Sequence, residues 1–492
     1  MVILLTVFIL TLMIYFLLQI RKPENYPPGP PFLPIVGHLF TLKKLGRKFM
    51  FQHLVFNHLN EVFNTNVLGL KMGNELTIVV SSYQFTRQVL TEEVFEGRPD
   101  NFFLKLRSMG KRIGITSADG EEWNTHRQFV VKHLRNLGMG KETMSILIRN
   151  ELANLMKILP DNDAPLKNLL ATCVINIIWN LTTGSSFAVD DPRLEKLIGI
   201  LGARSRAFDL SGGVMNALPW LRFIAPKRIG YDMICKLNRE LHSLFMETIN
   251  EHYKFHSDDN DEDLIDVYIT EIKKGSPSFS DEQLIVVLLD LFIAGSQTTS
   301  TTLDFALMML IIRPDLQDKL QKQMDEVFDE NIPITYAQKR RAPYAEAILM
   351  EVMRFFLITP IIGPRRTLWN TVIDNYSIPQ DTTVLINLQS VFHDKAYWKD
   401  PEVFRPERFL DANGELINHD YLFPFALGKR RCPGEVLARN CLFTFFTEIV
   451  RNFRITLHPE SPTPSLIPQP GIVCSPQPYL AKFTPRNTVA VV

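Results

Sequence analysis

The hydrophobic positions of the chain begin with one unbroken apolar run and then recur mostly at helical spacing. Residues 1–20 carry no charge and are aliphatic or aromatic apart from two threonines and a glutamine. A helix rises about 1.5 Å per residue, so this run spans about 30 Å, the thickness of a bilayer core. The pattern therefore predicts a single transmembrane helix at residues 1–20.

The segment after the apolar run indicates its orientation. Arg21 and Lys22 follow directly, and basic flanks stay on the cytoplasmic side of a membrane. A cleaved signal peptide is the alternative, but the run is too long and no small-residue cleavage site follows it. Residues 21–31 are basic and proline-rich, and we expect them to form a stiff, extended hinge.

Short strand patterns interrupt a mostly helical chain. Residues 67–72 and 75–80 are β-prone and flank Gly73-Asn74, which predicts a hairpin. Residues 371–388 have strand character again, with a turn at residues 378–381. The pattern predicts a mainly α fold with a small β region.

One predicted helix is unusually long. Ser280 and Gln283 form a capping-box pattern, and the apolar pattern then runs to Ile312 and ends at Arg313-Pro314. Thirty-two residues give a helix of roughly 48 Å. A helix of that length crosses a whole protein body, so we expect residues 32–492 to form one large domain.

Composition narrows the function classes. Among 492 residues, Lys and Arg number 53 and so do Asp and Glu, so there is no basic excess to suggest nucleic-acid binding. The five cysteines have irregular spacing, which fits neither a disulfide framework nor a zinc site. A reducing compartment is the natural inference.

One cysteine, Cys432, lies in a suggestive loop, Phe425-Ala426-Leu427-Gly428-Lys429-Arg430-Arg431-Cys432-Pro433-Gly434. Glycines on both sides allow a tight turn and the close approach of a bulky group. The apolar run at residues 436–450 predicts a helix, whose N-terminus would favour the thiolate form of Cys432. An exposed thiolate is a nucleophile or a metal ligand, whereas the alternative is a buried structural cysteine.

The spacing Phe-x-x-Gly-x-Arg-x-Cys-x-Gly resembles the haem-ligand loop of the cytochrome P-450 monooxygenases. The resemblance implies the triangular-prism fold of that family, haem b (iron protoporphyrin IX) as cofactor and Cys432 as the axial iron ligand. It also implies that Phe425, Gly428, Arg430 and Gly434 surround the haem. Thiolate ligation favours O–O bond cleavage.

A polar segment interrupts the long helix at Ala294-Gly295-Ser296-Gln297-Thr298-Thr299. Glycine within a helix costs about 1 kcal/mol relative to alanine, and buried polar side chains need partners. A packing glycine, with hydroxyl groups bonded back to the helix, is the structural alternative. The family resemblance implies that Thr298 delivers a proton during oxygen activation. Gln297 stands where the family more often has an acidic residue, so it can orient water but cannot be the acid.

The resemblance also implies cationic partners for the two haem propionates. Trp123, Arg127, Arg366 and Arg430 match the family's propionate-binding positions, and arginine suits carboxylates because its charged fork is planar. The family often has histidine before the third of these, where this chain has Arg365. A plain core role is the alternative for Trp123.

Glu351 and Arg354 lie three residues apart, a common surface pair on a helix. In the family a similar pair is buried with an arginine from a segment such as residues 404–409, which here supplies Arg408. The resemblance implies that these three residues lock the cysteine loop in place.

The resemblance further implies the partners and the location. We expect a single-pass protein of the endoplasmic reticulum membrane, in contact with membrane lipid, that receives electrons from NADPH through a flavoprotein reductase. The reductase would dock on a basic surface of Lys132, Arg135, Lys429 and Arg431. An apolar small-molecule substrate would contact residues 102–115, 210–223, 291–298, 359–363 and 472–475.

Residues 114–120, residues 133–138 and the Gln297 segment are similar to the insect branch of the family that epoxidises methyl farnesoate to juvenile hormone. Hydroxylation of xenobiotics, steroids or fatty acids is the alternative within the same class. Two further alternatives are a haem-thiolate isomerase that works without O2, against which Thr298 counts, and a haem sensor or carrier without turnover.

Overall fold

Helices dominate the computed structural model, which describes residues 2–161, 165–188, 191–207, 213–256, 263–329 and 332–486. The prediction of a mainly α fold with a small β region is confirmed. Within these residues the α-helices are α1 Val2–Ile20, α2 Leu39–Phe49, α3 Gln52–Phe63, α4 Tyr83–Thr91, α5 Phe102–Arg107, α6 Gly120–Asn136, α7 Glu142–Ile158, α8 Leu166–Thr183, α9 Pro192–Ala207, α10 Gly213–Ala217, α11 Tyr231–Phe255, α12 Leu264–Lys273, α13 Asp281–Ile312, α14 Pro314–Val327, α15 Pro343–Phe356, α16 Gln389–Phe392, α17 Lys395–Trp398 and α18 Glu435–Asn452.

The strands form three small sheets within the described residues. They are β1 Val67–Met72, β2 Glu75–Val80, β3 Ile361–Arg366, β4 Thr371–Ile373, β5 Tyr376–Ile378, β6 Thr383–Asn387, β7 Phe453–Leu457 and β8 Ala481–Pro485. The largest sheet has the order β1-β2-β6-β3, while β4 pairs with β5 and β7 with β8. The predicted β1–β2 hairpin is confirmed. Residues 371–388 contain a second hairpin, β4–β5, before the chain turns into β6.

Helix α1 differs from the other long apolar helix. Both α1 and α13 are long and apolar enough to cross a membrane, but the side chains of α1 are exposed while most of α13 is buried. Lys71 in β1 fixes the end of α1, since its ammonium group donates to the backbone carbonyl (2.7 Å) and the side-chain oxygen (3.0 Å) of Gln19. The candidate membrane helix is therefore tied directly to the main sheet.

The hinge after α1 lies against the main sheet. The Gly69 N–H in β1 donates to the Pro28 carbonyl at 2.7 Å. A Cβ atom on Gly29 would lie 2.0 Å from the Gly69 carbonyl oxygen, so only glycine permits this approach.

Helix α13 crosses the body as one continuous helix of 32 residues. It begins where predicted, with Ser280 Oγ accepting from the Gln283 N–H at 3.2 Å. The second half of the capping box does not form, because the Gln283 side chain instead accepts from the Gly114 N–H at 3.0 Å. A Cβ atom on Gly295 would meet Ile178 Cδ1 of α8 at 2.3 Å, so α8 packs closely against α13 at this glycine.

Candidate active site

The cysteine loop is a tight turn that leads into α18. The Cys432 N–H donates to the Phe425 carbonyl at 2.9 Å, which closes the loop on itself. Gly428 has φ +72°, and a Cβ atom there would lie 2.1 Å from the Leu90 carbonyl oxygen, so this position requires glycine. Gly434 has φ −89°, and the nearest atom to a Cβ there would be Cys432 Sγ at 3.9 Å. The missing side chain of Gly434 therefore leaves room beside the thiol. The backbone angle at this position does not itself require glycine.

Cys432 is the exposed cysteine of the five, all of which are free thiols. Burial nevertheless raises the pKa of its thiol, and the Gly434 N–H and the Arg127 charge oppose this effect only in part. A thiol with open surface but little solvation faces an internal space. The expectation that the helix N-terminus favours thiolate stays a prediction, and desolvation acts against it here. Coordination to a metal ion would remove the proton outright.

A group of buried donors converges from four separate segments near this loop. Arg430 lies over the ring of Trp123, with 3.7 Å between the guanidinium carbon and the ring centroid. Arg98 donates through Nη1 to the Pro364 carbonyl at 2.7 Å, next to Arg365 in β3. Five buried nitrogens of this group have no hydrogen-bond partner among the described residues: Arg98 Nε, Trp123 Nε1, Arg365 Nε, Arg430 Nε and Arg430 Nη2. Buried donors without partners are rare in native proteins, so each requires an explanation.

We call Arg98, Arg365 and Arg430, with Trp123, the open arginine cluster. Its electrostatics also indicate that it lacks a negatively charged partner. Desolvation and the neighbouring charges of Arg98 and Arg365 lower the pKa of Arg430 to about 8. Desolvation and the charge of Arg107 lower the pKa of Arg98 to about 10. Burial and the Arg98 charge also lower the pKa of Arg365 well below its ordinary value. The cluster therefore holds more positive charge than the surrounding carboxylates meet.

The structure brings some of the predicted propionate ligands together and leaves others apart. Trp123 and Arg430 belong to the cluster. Arg127 lies beside it, and its Nη2 donates to the Arg431 carbonyl at 2.6 Å. Arg366 is turned the other way, where its guanidinium binds Asp119 at 2.7 Å, Asp381 and the Arg98 carbonyl. Its neighbour Arg365 points inward instead, since successive strand residues face opposite sides of a sheet.

The donor set fits a group that carries two carboxylates, as the propionates of haem b would. Arginine forks and an indole N–H are the donors that carboxylates prefer, and a dianion would supply the missing partners. Sequence reasoning missed Arg98 because a lone arginine in Gly97-Arg98-Pro99 gives no pattern. Its role becomes visible only once the fold has placed it beside Arg365.

The polar segment of α13 borders an open interior region. Ala294 is exposed although the helix around it is buried, and Gln297 and Thr298 keep part of their surface. Thr298 Oγ1 donates to the Ala294 carbonyl at 2.9 Å, and Ser300 Oγ donates to the Ser296 carbonyl at 2.7 Å. The helix remains closed at this point. The hydroxyl of Thr298 nevertheless retains lone pairs toward the open region.

A second group of buried charges, the charge lock, is formed by Glu351, Arg354 and Arg408. Arg354 binds both carboxylate oxygens of Glu351 at 2.7 and 2.9 Å, and Arg408 Nε lies 3.1 Å from the same carboxylate. Glu351 and Arg354 are fully buried. Arg354 also donates to the carbonyls of Phe392 (3.0 Å) and Pro401 (2.9 Å), so the lock joins α15 to the segments that precede the cysteine loop.

Comparison with known proteins shows the family of the chain. The family model described as cytochrome P-450 matches residues 27–483. The chain belongs to the cytochrome P-450 family. It is 42% identical over 482 residues to "Probable cytochrome P-450 305a1" of Drosophila melanogaster, covering 95% of each chain. It is 34% identical to "Farnesoate epoxidase" of Bombyx mori, covering 98% of this chain and 99% of that one, and 30% identical to "Cytochrome P-450 2U1" of Homo sapiens, covering 94% and 90%.

Membership of the cytochrome P-450 family confirms the expected fold and places the protein among haem-thiolate monooxygenases. Of the segments expected to line the substrate site, residues 210–223 lie partly outside the described residues, which omit residues 208–212. The other four segments are described, and residues 291–298 include the open face of α13 at Ala294 and Thr298.

Proposed function

We propose that this cytochrome P-450 inserts one oxygen atom of O2 into an apolar substrate and releases the other atom as water. Each turnover consumes two electrons and two protons, and thiolate-ligated haem supplies the oxygen-cleaving chemistry when it is bound. Cys432 would ligate the iron, with Phe425, Gly428 and Gly434 shaping its loop. Arg98, Trp123, Arg365 and Arg430 would hold the propionates, flanked by Arg127. One observation carries the proposal: unpartnered buried donors converge near an interior-facing cysteine thiol.

Residues of α13 support a route for protons. The Thr298 hydroxyl is fixed by the Ala294 carbonyl, and its oxygen can accept from water or pass a proton onward. Gln297 is partly open to the same region and would orient water there. An amide does not titrate in this range, so the proton must come from water or from a more distant acid.

The surface supports electron supply from NADPH through a flavoprotein reductase. Lys132, Arg135, Lys429 and Arg431 are all exposed on α6 and the cysteine loop. Lys429 forms an ion pair with Glu96 at 3.3 Å and keeps 65% of its side chain exposed. An acidic partner docked there would lie close to Cys432.

The exposed helix α1 supports a location in the endoplasmic reticulum membrane, with the remaining chain on the cytoplasmic side. We propose that residues 1–20 form the membrane anchor, residues 21–31 the hinge and residues 32–492 the catalytic domain. A membrane location brings an apolar substrate to the protein from the lipid phase.

For the substrate we propose a farnesoid, oxidised at a carbon–carbon double bond to an epoxide in juvenile hormone biosynthesis. The support is the silkworm relative named "Farnesoate epoxidase", which aligns over 98% of this chain. Methyl farnesoate is the first compound to test. Hydroxylation of xenobiotics, steroids or fatty acids would use the same machinery.

The test is incubation of the purified haem protein with NADPH, its reductase and methyl farnesoate, followed by mass spectrometry. We expect a product that has gained one oxygen atom, and its formation should require both NADPH and O2. A Cys432→His protein should lose the thiolate spectrum and this activity together. Rapid isomerisation of a lipid peroxide without NADPH, and no oxygenation of any substrate, would overturn the proposal.

A Thr298→Ala variant tests the proton route. We expect it to consume NADPH while forming several-fold less product, with the missing electrons recovered as hydrogen peroxide. Thr299→Ala is a matched control, because Thr299 is the next residue of the same helix and is buried. Unchanged coupling in Thr298→Ala would show that the proton arrives by another route.

A further inference from the structure

A histidine and two aspartates lie together where α11 ends and α12 begins. His252 is in the last turn of α11, Asp263 directly precedes α12, and Asp266 is in the first turn of α12. One nitrogen or oxygen atom from each of the three side chains lies within 4.8 Å of the other two. These side chains keep only 15%, 5% and 14% of their surface exposed. Charged groups enclosed to this degree are rare unless something pairs with them.

The orientation of the His252 ring is fixed from within its own helix. Nδ1 lies 2.8 Å from the Thr248 carbonyl oxygen, and a carbonyl only accepts, so Nδ1 carries a hydrogen. The other ring nitrogen, Nε2, faces Asp263 at 2.9 Å from Oδ2. Histidines that bind metals almost always donate their second ring nitrogen to a carbonyl or carboxylate in this way.

The two carboxylate oxygens of Asp263 have different surroundings. Oδ1 accepts from the Asp266 N–H at 3.0 Å and caps α12. Oδ2 faces His252 and borders Gly184, the residue that ends α8 with φ +65°. A Cβ atom on Gly184 would lie 3.1 Å from Asp263 Oδ2. The missing side chain of Gly184 therefore leaves space beside this oxygen.

Asp266 adds a second negative charge, and the cations around it do not balance the group. Among the described residues its ion-pair partner is His256, whose Nδ1 lies 3.8 Å from Oδ1. No lysine or arginine in the described part of the chain forms an ion pair with Asp263 or Asp266. Two carboxylates that are largely removed from water are costly without positive charge between them. A divalent cation would supply that charge.

We propose that His252 Nε2, Asp263 Oδ2 and a carboxylate oxygen of Asp266 bind a divalent transition-metal ion, for which Zn²⁺ is the best match. Zinc accepts imidazole and carboxylate ligands together at about 2.0–2.2 Å, and water completes a set of three protein ligands. Mg²⁺ and Ca²⁺ take oxygen ligands, so the imidazole selects against them. In the metal-free protein a proton lies between His252 and Asp263. The metal takes its place, and the proton goes to solvent.

A metal at this position would fasten the end of α11 to the start of α12. The next residue, Tyr253, already ties the same end of α11 to the long helix α13, since its hydroxyl donates to Asp281 Oδ1 at 2.8 Å. The site shares no residue with the cysteine loop or the open arginine cluster. The inference therefore does not depend on the proposed oxygenase reaction.

The experiment is equilibrium dialysis of the haem protein against Zn²⁺ after treatment with EDTA, followed by elemental analysis of zinc and iron. We expect one zinc ion per haem iron, and an excess of Ca²⁺ or Mg²⁺ should not displace it. Zinc should also raise the thermal unfolding temperature, because a ligand of the folded state stabilises that state. A ratio well below one, or displacement of zinc by Ca²⁺, would overturn the proposal.

Three variants each remove one ligand: His252→Gln, Asp263→Asn and Asp266→Asn. Asparagine at position 263 keeps a side-chain oxygen to cap α12. Each variant should bind zinc at least about 100-fold more weakly, because loss of an outer-shell partner alone costs 10- to 100-fold. His242→Gln is the matched control, since His242 is an exposed histidine of the same helix, and it should bind zinc as the wild type does. Equal zinc binding by all four variants would indicate an adventitious ion only.

Thermal unfolding of Asp266→Asn separates a metal site from a plain ion pair. Without metal this variant should unfold at the wild-type temperature or above it, because it loses a poorly balanced charge, and zinc should no longer stabilise it. Marked destabilisation without metal, together with unchanged zinc binding, would assign Asp266 to its pair with His256 and refute the proposal. If a variant fails to fold, the zinc-to-iron ratio of the wild type and its resistance to Ca²⁺ still decide.

Discussion

Two groups of buried arginines, the charge lock and the open arginine cluster, differ in how their charges are met. In the charge lock, Arg354 and Arg408 share the carboxylate of Glu351 and donate their other N–H groups to backbone carbonyls. In the open arginine cluster, Arg365 and Arg430 have buried donors without partners. The lock is complete without any ligand, whereas the cluster is not.

This difference separates a structural role from a binding role. Burying an unpaired charge is expensive, so a fold keeps such a group only if something else supplies the partner. The lock therefore serves folding, and the cluster serves a dianionic ligand. Removing a charged side chain is therefore expected to destabilise the protein when the residue belongs to the charge lock. The same kind of change should stabilise the haem-free protein when the residue belongs to the open arginine cluster.

The largest effect is expected for Glu351→Ala. It leaves two buried guanidinium groups without their carboxylate, which should lower the free energy of unfolding by about 3–5 kcal/mol and prevent haem incorporation. Thermal unfolding and haem content per protein measure both effects. Glu407→Ala is the control, since Glu407 is 45% exposed and its pair with Lys319 should contribute under about 1 kcal/mol. A Glu351→Ala protein with full haem and normal stability would show that the lock is dispensable.

A smaller paired group, His252 with Asp263, should make stability depend on pH. Burial opposes charge on His252, but its hydrogen bonds to Asp263 and the Thr248 carbonyl, with the Asp266 charge, outweigh this and raise its pKa to about 9. The folded pKa exceeds the unfolded value of about 6.5, so the stabilisation is complete below that pH. About 2–3 kcal/mol should be lost as pH rises from about 6.5 to 9. His252→Gln should remove this dependence in urea unfolding; an identical pH profile in that variant would contradict the assignment.

Arg365→Leu should act in the opposite sense to Glu351→Ala. Removing an unpartnered buried charge should stabilise the haem-free protein by about 1–2 kcal/mol, while the haem-bound protein loses haem about tenfold faster. Urea unfolding of the haem-free form and haem transfer to an acceptor protein measure the two effects. Destabilisation of the haem-free form would mean that Arg365 has an internal partner after all.

The smallest effect is expected for Arg366→Leu, which distinguishes the two neighbouring arginines. Arg366 already binds Asp119 and Asp381 and is partly exposed, so its loss should change stability by under about 1 kcal/mol. The rate of haem loss should stay within about twofold of the wild-type rate, because the Arg366 guanidinium is already paired with Asp119 and Asp381. Haem loss as fast as in Arg365→Leu would restore Arg366 as a propionate ligand.

Local patterns predicted local structure well. The β1–β2 hairpin, the 32-residue α13 and the helix after Gly434 lie where periodicity, turn residues and caps indicated. These elements depend on neighbours within a few residues, which is the range over which such signals act. Sequence reasoning missed the hairpin β4–β5, because its turn at Asp374-Asn375 lies within the strand pattern that precedes the predicted turn at residues 378–381.

The sequence by itself determined several local elements, the apolar N-terminal helix and the identity of the cysteine loop, because each is written in contiguous residues. Only the tertiary structure decided which arginine of the pair Arg365-Arg366 faces inward, since strand register sets the side of a residue. It also brought Arg98 to the cluster. These contacts join residues far apart in the chain, and burial, which gives an unpaired charge its cost, exists only in the folded protein.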